Sequence, residues 1–311
     1  ACLLLFTGLR EPQDQELVQV SWPEGETLSV TGTVSLDKLL LTLSSRQNWF
    51  ELSGRLEVDP ETVLELEKLL QAAPKGRFVP LDSKRYAVLS RGLRRRLQEI
   101  GQFADIQGER LKLPVHSALA LEALEQEVGG LQGDRSWTRR KKRIQEASRH
   151  APPPPSTLKA ELRDYQLQGY QWLSRIAKMG FGACLADDMG LGKTLQALAL
   201  ILERAPEGPT LVVAPTSVCS NWLAEAGRFA PTLKPVLYTG KDRQAILEQA
   251  GPFSLIICSY ALLMQDAEIM SRASWQTLVL DEAQAIKNWS AKRTQAAMRL
   301  QAEFRMATTG T

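Results

Sequence analysis

Two short stretches hold residue types that together could move a phosphoryl group. Asp187-Asp188-Met189-Gly190-Leu191-Gly192-Lys193-Thr194 sets two glycines ahead of a lysine and a hydroxyl. Glycines let a turn bring its backbone N–H groups close to phosphate oxygens, and a helix that starts just behind adds its positive end. Lys193 would then hold the β- and γ-phosphates, and the Thr194 hydroxyl would ligate magnesium. Asp187 stands where the general G-x-x-x-x-G-K-[ST] pattern has its first glycine. Further along, Leu278-Val279-Leu280-Asp281-Glu282-Ala283-Gln284 is an apolar run that ends in two acids. Asp281 would hold the magnesium through its water shell, while Glu282 would orient and deprotonate the attacking water. By itself such an acid pair could equally cap a following helix. The phosphate loop upstream favours the catalytic reading.

These residues need a scaffold that delivers both stretches to one place. Apolar segments of strand length at 181–186, 210–214, 254–259, 277–280 and 304–308 alternate with helix-like stretches at 165–178, 193–203, 218–229 and 291–301. Continuous apolar strands separated by helices predict an α/β fold, a parallel sheet covered on both faces. Ligands of such sheets bind at the carboxyl ends of the strands.

The residues before this region read differently. Trp49 to Val58 alternates apolar and polar positions, as a half-buried strand of an antiparallel sheet does. Asp59-Pro60 predicts an N-cap and first-turn proline for a helix through Gln71, with strands near 77–81 and 86–89 and a helix over 90–100 to follow. The result is a smaller α+β domain with a helical end and no catalytic constellation. Four successive prolines, Pro152 to Pro155, favour an extended, semi-rigid linker. Just ahead of it, Arg139-Arg140-Lys141-Lys142-Arg143 is either a solvated helix face or a phosphate-contacting patch.

Composition sets outer bounds. With 38 Lys+Arg against 35 Asp+Glu the net charge is +3, so global charge does not argue for a polyanionic partner. The longest apolar clusters fall far short of the roughly 18 residues that a membrane-crossing helix needs, and no membrane partner is expected. Cys2, Cys184, Cys219 and Cys258 stand far apart and read as small buried hydrophobes in a reducing compartment. With only His116 and His150, no zinc spacing exists.

The ordered set Leu162-Arg163-Asp164-Tyr165-Gln166, DDMGLGKT at 187–194, APTSVCSNW at 214–222, CSYALL at 258–263, DEAQAIKN at 281–288 and TTGT at 308–311 resembles the motifs of Swi/Snf-related superfamily-two ATPases. Asp187 at the first glycine position matches that family's variant, and DEAQ looks more like the bacterial RapA or HepA type. The resemblance implies a RecA-like first motor lobe with ATP and Mg2+ as cofactors. Gln166 would read adenine, and Asp188, Met189, Gly190, Leu191, Gly192, Lys193 and Thr194 would form the nucleotide cradle. Asp281 and Glu282 would carry hydrolysis. Thr216, Ser217, Asn221 and the stretch around Tyr260 would touch the backbone of double-stranded DNA without reading its sequence. Thr309, Gly310 and Thr311 would couple hydrolysis to DNA grip.

The expected organisation is an accessory domain over 1–150, a linker over 151–157 and a first lobe over 158–311. It implies the N-terminal part of a DNA-stimulated translocase that remodels protein–DNA complexes. RNA polymerase or another DNA-bound protein is a candidate partner, in the cytoplasm, or on the nucleoid of a bacterium. No second lobe or its arginine precedes Thr311, so this piece alone is expected to be nearly inactive. An RNA-dependent or strand-separating helicase, or a non-hydrolysing scaffold, would share these features.

Overall fold

The computed structural model describes residues 29–46, 49–107, 110–188 and 190–310. Its contacts divide the chain into two compact units, Ala1–Lys142 and Arg143–Thr311.

In the first unit, β1 (Ser29–Val34), β2 (Leu39–Ser45), β3 (Trp49–Asp59) and β4 (Thr62–Glu65) precede α1 (Leu66–Ala72). Then come β5 (Phe78–Pro80), β6 (Arg85–Leu89), α2 (Arg91–Phe103), β7 (Asp105–Gln107), β8 (Arg110–Pro114), α3 (Ala118–Glu125) and β9 (Gly130–Gly133). The main sheet runs β7-β8-β3-β2-β9, with β4 also paired to β3, and its alternating Phe50, Leu52 and Leu56 are buried. The long central strand β3 is antiparallel to β2, β4 and β8, as the alternation requires. One expectation fails at its end. Asp59-Pro60 forms the turn of a hairpin into β4, with Asp59 Oδ1 accepting from Glu61 N–H at 3.0 Å. The helix starts only at Leu66, because pairing of Thr62 to Glu65 with β3 outweighs the local capping signal.

The basic run lies on α4 (Arg135–Ser148), which contains the division between the units. Within the first unit, Lys141 pairs with Glu125 at 2.8 Å and the Arg140 guanidinium lies 5.8 Å from the Phe50 ring centroid. Within the second, Arg143 donates to the Lys178 carbonyl. Much of the run is therefore spent on packing.

The second unit is a six-stranded, wholly parallel sheet in the order β10-β15-β14-β11-β13-β12. In chain order it contains α5 (Asp164–Met179), β10 (Ala183–Leu185), α6 (Lys193–Arg204), β11 (Thr210–Ala214), α7 (Thr216–Phe229) and β12 (Lys234–Leu237). There follow α8 (Arg243–Glu248), β13 (Ser254–Ser259), α9 (Tyr260–Gln265), α10 (Ala267–Arg272), β14 (Ser274–Leu280), α11 (Lys292–Arg299) and β15 (Gln301–Thr308). Successive residues of one strand face opposite layers. Val212 and Ala214 join Leu255, Ile257 and Val279 on one face, while Leu211 and Val213 join Ile256, Cys258 and Leu278 on the other. Both faces are buried, which is the α/β architecture the apolar runs predict.

The edges hold the departures. Short, proline-containing β12 escapes sequence patterning and is tolerated as an edge strand. Cys184, expected to be buried, is exposed, because β10 is the opposite edge. Cys219 and Cys258 are buried, and Cys2 lies outside the described residues. The proline run lies against α5: Gln171 Nε2 donates to the Pro152 carbonyl at 3.3 Å and Tyr170 Oη to that of Pro153 at 3.4 Å. No described helix is long and apolar enough to cross a membrane.

Candidate nucleotide site at the carboxyl edge of the sheet

The loop after β10 leads into α6, whose first residues are Lys193 and Thr194. Two glycines shape it. Gly190 and Gly192 adopt left-handed conformations with φ of +83° and +72°, costly for any residue with a Cβ. At Gly192 a Cβ would also come 2.4 Å from Gln166 Nε2. That glutamine, buried in the first turn of α5, donates to the Leu191 carbonyl at 3.2 Å and accepts from the Arg163 N–H at 3.0 Å. Gln166 is thus seated directly on the phosphate-type turn. Lys193 Nζ donates to the Asp187 and Asp188 carbonyls at 2.8 and 2.9 Å, so its ammonium is folded over the loop. Asp188 is exposed, and Met189 lies outside the described residues.

The acid pair ends β14, two strands from β10 with β15 between them. At about 4.8 Å per strand this puts it about 10 Å away along the same sheet edge. The end of β15 stitches the two together: Thr309 N–H donates to the Leu185 carbonyl at 3.1 Å, and Thr308 Oγ1 to Asp281 Oδ1 at 2.5 Å.

Asp281 is held from several sides. Its N–H donates to the Val213 carbonyl at 2.8 Å, while Oδ2 accepts from the Trp222 indole N–H at 2.8 Å. Its carbonyl accepts from Tyr260 Oη at 2.9 Å. Glu282 is one of two described non-glycine residues with positive φ, +50°, a strained geometry that re-aims the chain just after the strand. Gln284 Nε2 donates to Glu282 Oε2 at 2.5 Å, and Thr309 Oγ1 donates to Gln284 Oε1 at 2.8 Å. A chain of hydrogen bonds therefore runs from Glu282 to the end of β15.

The other sequence candidates divide by exposure. Thr216, Ser217 and Asn221 are exposed at the start of α7. Tyr260 is 6% exposed and spends its hydroxyl on Asp281. Burial holds that phenol well above its usual range, with the Asp281 and Glu282 charges adding to the effect. Gly310 is described and Thr311 is not. Trp222 and Gln284 sit inside the sequence motifs, yet only the fold reveals their partners.

A magnesium ion fits these donors in one way. Asp281 and Thr194 offer hard oxygen ligands, but among the described residues no group of three His, Cys, Asp or Glu could hold a metal. Such an ion would rely on nucleotide phosphates and water for most of its ligands, which is how magnesium is usually bound.

A parallel α/β unit with a glycine-shaped turn, a lysine and a carboxylate at one edge has the architecture that phosphate-loop nucleotide-binding domains use. Residues 165–311 match the SNF2-related domain family. The chromatin-remodeling ATPase INO80 of Cryptococcus neoformans is 39% identical over 173 residues, covering 50% of this chain and 10% of that protein. Helicase SWR1 of Candida glabrata is 42% identical over 168 residues, covering 51% of this chain and 12% of that protein. Among solved structures, the Sulfolobus solfataricus SWI2/SNF2 ATPase core in complex with dsDNA has a TM-score of 0.48 at 40% identity, with 52% of this chain and 34% of that chain covered. The chain spans about a tenth of the length of these two curated relatives. Residues of the second unit are therefore similar to the SNF2-related domain and to part of these ATPase and helicase sequences. Both curated relatives are fungal, so they lend no support to the bacterial RapA or HepA type, to a nucleoid location or to an RNA polymerase partner.

Proposed function

We propose that the second unit is the first motor lobe of a magnesium-dependent ATPase that is stimulated by double-stranded DNA, moves along it and remodels what is bound there. The observation that carries this reading is the stitching of the phosphate turn and the acid pair along one sheet edge through Thr308 and Thr309. Lys193 would exchange the Asp187 and Asp188 carbonyls for β- and γ-phosphate oxygens, and Gln166 would contact the base. Thr194 and Asp281 would hold the metal, which when bound supplies charge neutralisation on the phosphates. Glu282 would take the proton of the attacking water, held in aim by Gln284.

Thr216, Ser217 and Asn221 offer exposed hydroxyl and amide groups at the same edge, suited to phosphate oxygens. In the stretch after β13 the contact would fall on residues other than Tyr260, whose position suits it to hold Asp281. Thr309, Gly310 and Thr311 would transmit hydrolysis to the grip on DNA. The domain plan of residues 1–150, 151–157 and 158–311 belongs to the same reading, with the first part as an accessory domain.

Glu282→Gln in the full-length protein is the test. Turnover should fall by orders of magnitude with nucleotide binding kept, and duplex DNA should stimulate the parent more than RNA does. Undiminished turnover, or stronger stimulation by RNA, overturns the proposal.

A further inference from the structure

The segment between the acid pair and β15 carries an exposed aromatic residue in a wholly basic setting. Trp289 is 68% exposed, the most exposed of the large hydrophobic side chains among the described residues. Lys287, Lys292 and Arg293 are exposed near it in the chain, Arg299 is exposed at the far end of α11, and no Asp or Glu occurs from Ala283 to Ala302. None of these four cations has a carboxylate within ion-pair distance among the described residues. Lys292 and Arg293 also open α11, where the positive end of the helix disfavours cations, and no side-chain cap offsets them. The turn is nonetheless built: Asn288 Oδ1 accepts from Ser290 N–H and Oγ at 3.1 and 2.9 Å, and Gln295 Nε2 donates to the Trp289 carbonyl at 2.8 Å. An indole this exposed, on a turn whose backbone is held, belongs to neither buried cluster of the lobe among the described residues.

We infer that Trp289, Lys287, Lys292 and Arg293 form a second duplex-DNA contact, with the cations on phosphates and the indole against the sugar-base edge. The inference rests on the DNA reading above and adds a surface to it. Position supports a DNA occupant. In a parallel sheet, helices start at the carboxyl edge, so the start of α11 shares that edge with the exposed start of α7. Residues of α11 and of α9, the helix that begins at Tyr260, join one buried cluster through Ala296, Ala297 and Leu263. One duplex lying along this edge could meet both surfaces.

The test is fluorescence anisotropy of the 311-residue chain with a labelled duplex of about 20 base pairs, over a salt series. Trp289→Ala should weaken binding about tenfold, the scale of a lost aromatic contact to nucleic acid. Lys292→Gln with Arg293→Gln should lower the slope of log affinity against log salt by about 2. Trp289→Phe should restore most of the loss. These sites are exposed, and thermal melting should match the parent. Parent-like affinity in both variants, with a loss in Asn221→Ala, overturns this inference and leaves the wider reading standing. No duplex binding by the parent overturns both. Equal binding of polyglutamate by the parent, lost in the same variants, assigns the patch to an acidic protein and overturns the inference alone.

Discussion

Replacing Trp222 with phenylalanine removes one hydrogen bond from the acid that is proposed to hold magnesium. The indole N–H sits 2.8 Å from Asp281 Oδ2, and the side chain is 1% exposed, so water cannot easily substitute for it. A hydrogen bond to a charged group contributes about 1.5–3 kcal/mol, which corresponds to about tenfold to a hundredfold in an equilibrium or a rate. Thr308 Oγ1 and the Glu282 N–H remain on Oδ1, so the carboxylate can swivel but keeps its place. The lower end of the range is expected: about a tenfold fall in turnover at limiting magnesium, with a higher magnesium midpoint.

Trp222→Phe also leaves a cavity that should cost about 1–2 kcal/mol of stability, so folding loss has to be separated from chemistry. Trp275→Phe is the control. Trp275 is equally buried, but its indole N–H reaches only the Met270 carbonyl, at 3.4 Å, far from any acid of the site in the hydrogen-bond network. Urea melts should show similar destabilisation for the two variants. Magnesium titrations of ATP turnover in the full-length protein should shift for Trp222→Phe alone. If both variants keep the parent's magnesium dependence, the indole is only packing and the reasoning fails.

Gly192→Ala should abolish binding of a fluorescent ATP analogue, because the new Cβ meets both a positive φ and the Gln166 amide; parent-like affinity would show that the turn can reshape. Tyr260→Phe should cost about 1 kcal/mol in urea melts through the lost Asp281 hydrogen bond and leave duplex affinity unchanged, whereas a weakened duplex complex would return this residue to the DNA interface. Asp266 accepts from Arg243 Nε at 2.7 Å and from Tyr238 Oη at 3.1 Å, and the arginine chiefly holds its carboxyl below the usual 3.8. A lowered folded-state value means that the unfolded chain takes up the proton first. The stability from Asp266 is therefore complete above the ordinary carboxylate range and is lost as pH falls through the folded value. Asp266→Asn should cost about 2 kcal/mol at pH 7 and little in strong acid, as read from melts across that range; a pH-independent difference would contradict the linkage.

What could be read from the sequence was the local structure whose parts lie close together in the chain. The turn from Gly190 to Thr194 needs only local geometry, and the buried strands Thr210–Ala214 and Ser254–Ser259 announce themselves by unbroken apolar character. Where one local signal serves two structures, the sequence misleads. Asp59 accepts from Glu61 N–H as a helix cap would, yet the same contact closes a hairpin once Thr62 to Glu65 find a partner strand. Likewise, the helical pattern expected to reach Gln301 stops at Arg299, because Gln301 pairs with Ser274 at the start of β15.

The deeper omission concerns Trp222 and Tyr260. The sequence motifs include Trp222 without assigning it a role and place Tyr260 in a stretch expected to touch DNA, yet both side chains are buried. Their polar atoms nonetheless converge on Asp281, one on its carboxylate and one on its carbonyl, from helices that follow different strands. Thr308 arrives from β15 and the Val213 carbonyl from β11. One acid thus registers the positions of α7, α9, β11 and β15 at once. Any ligand that displaces the start of α7 by a fraction of an ångström must stretch the bond between Trp222 and Asp281 or drag the acid with it. On the proposed reading, that would give a contact on Thr216 or Asn221 a physical route to Asp281 and the neighbouring Glu282.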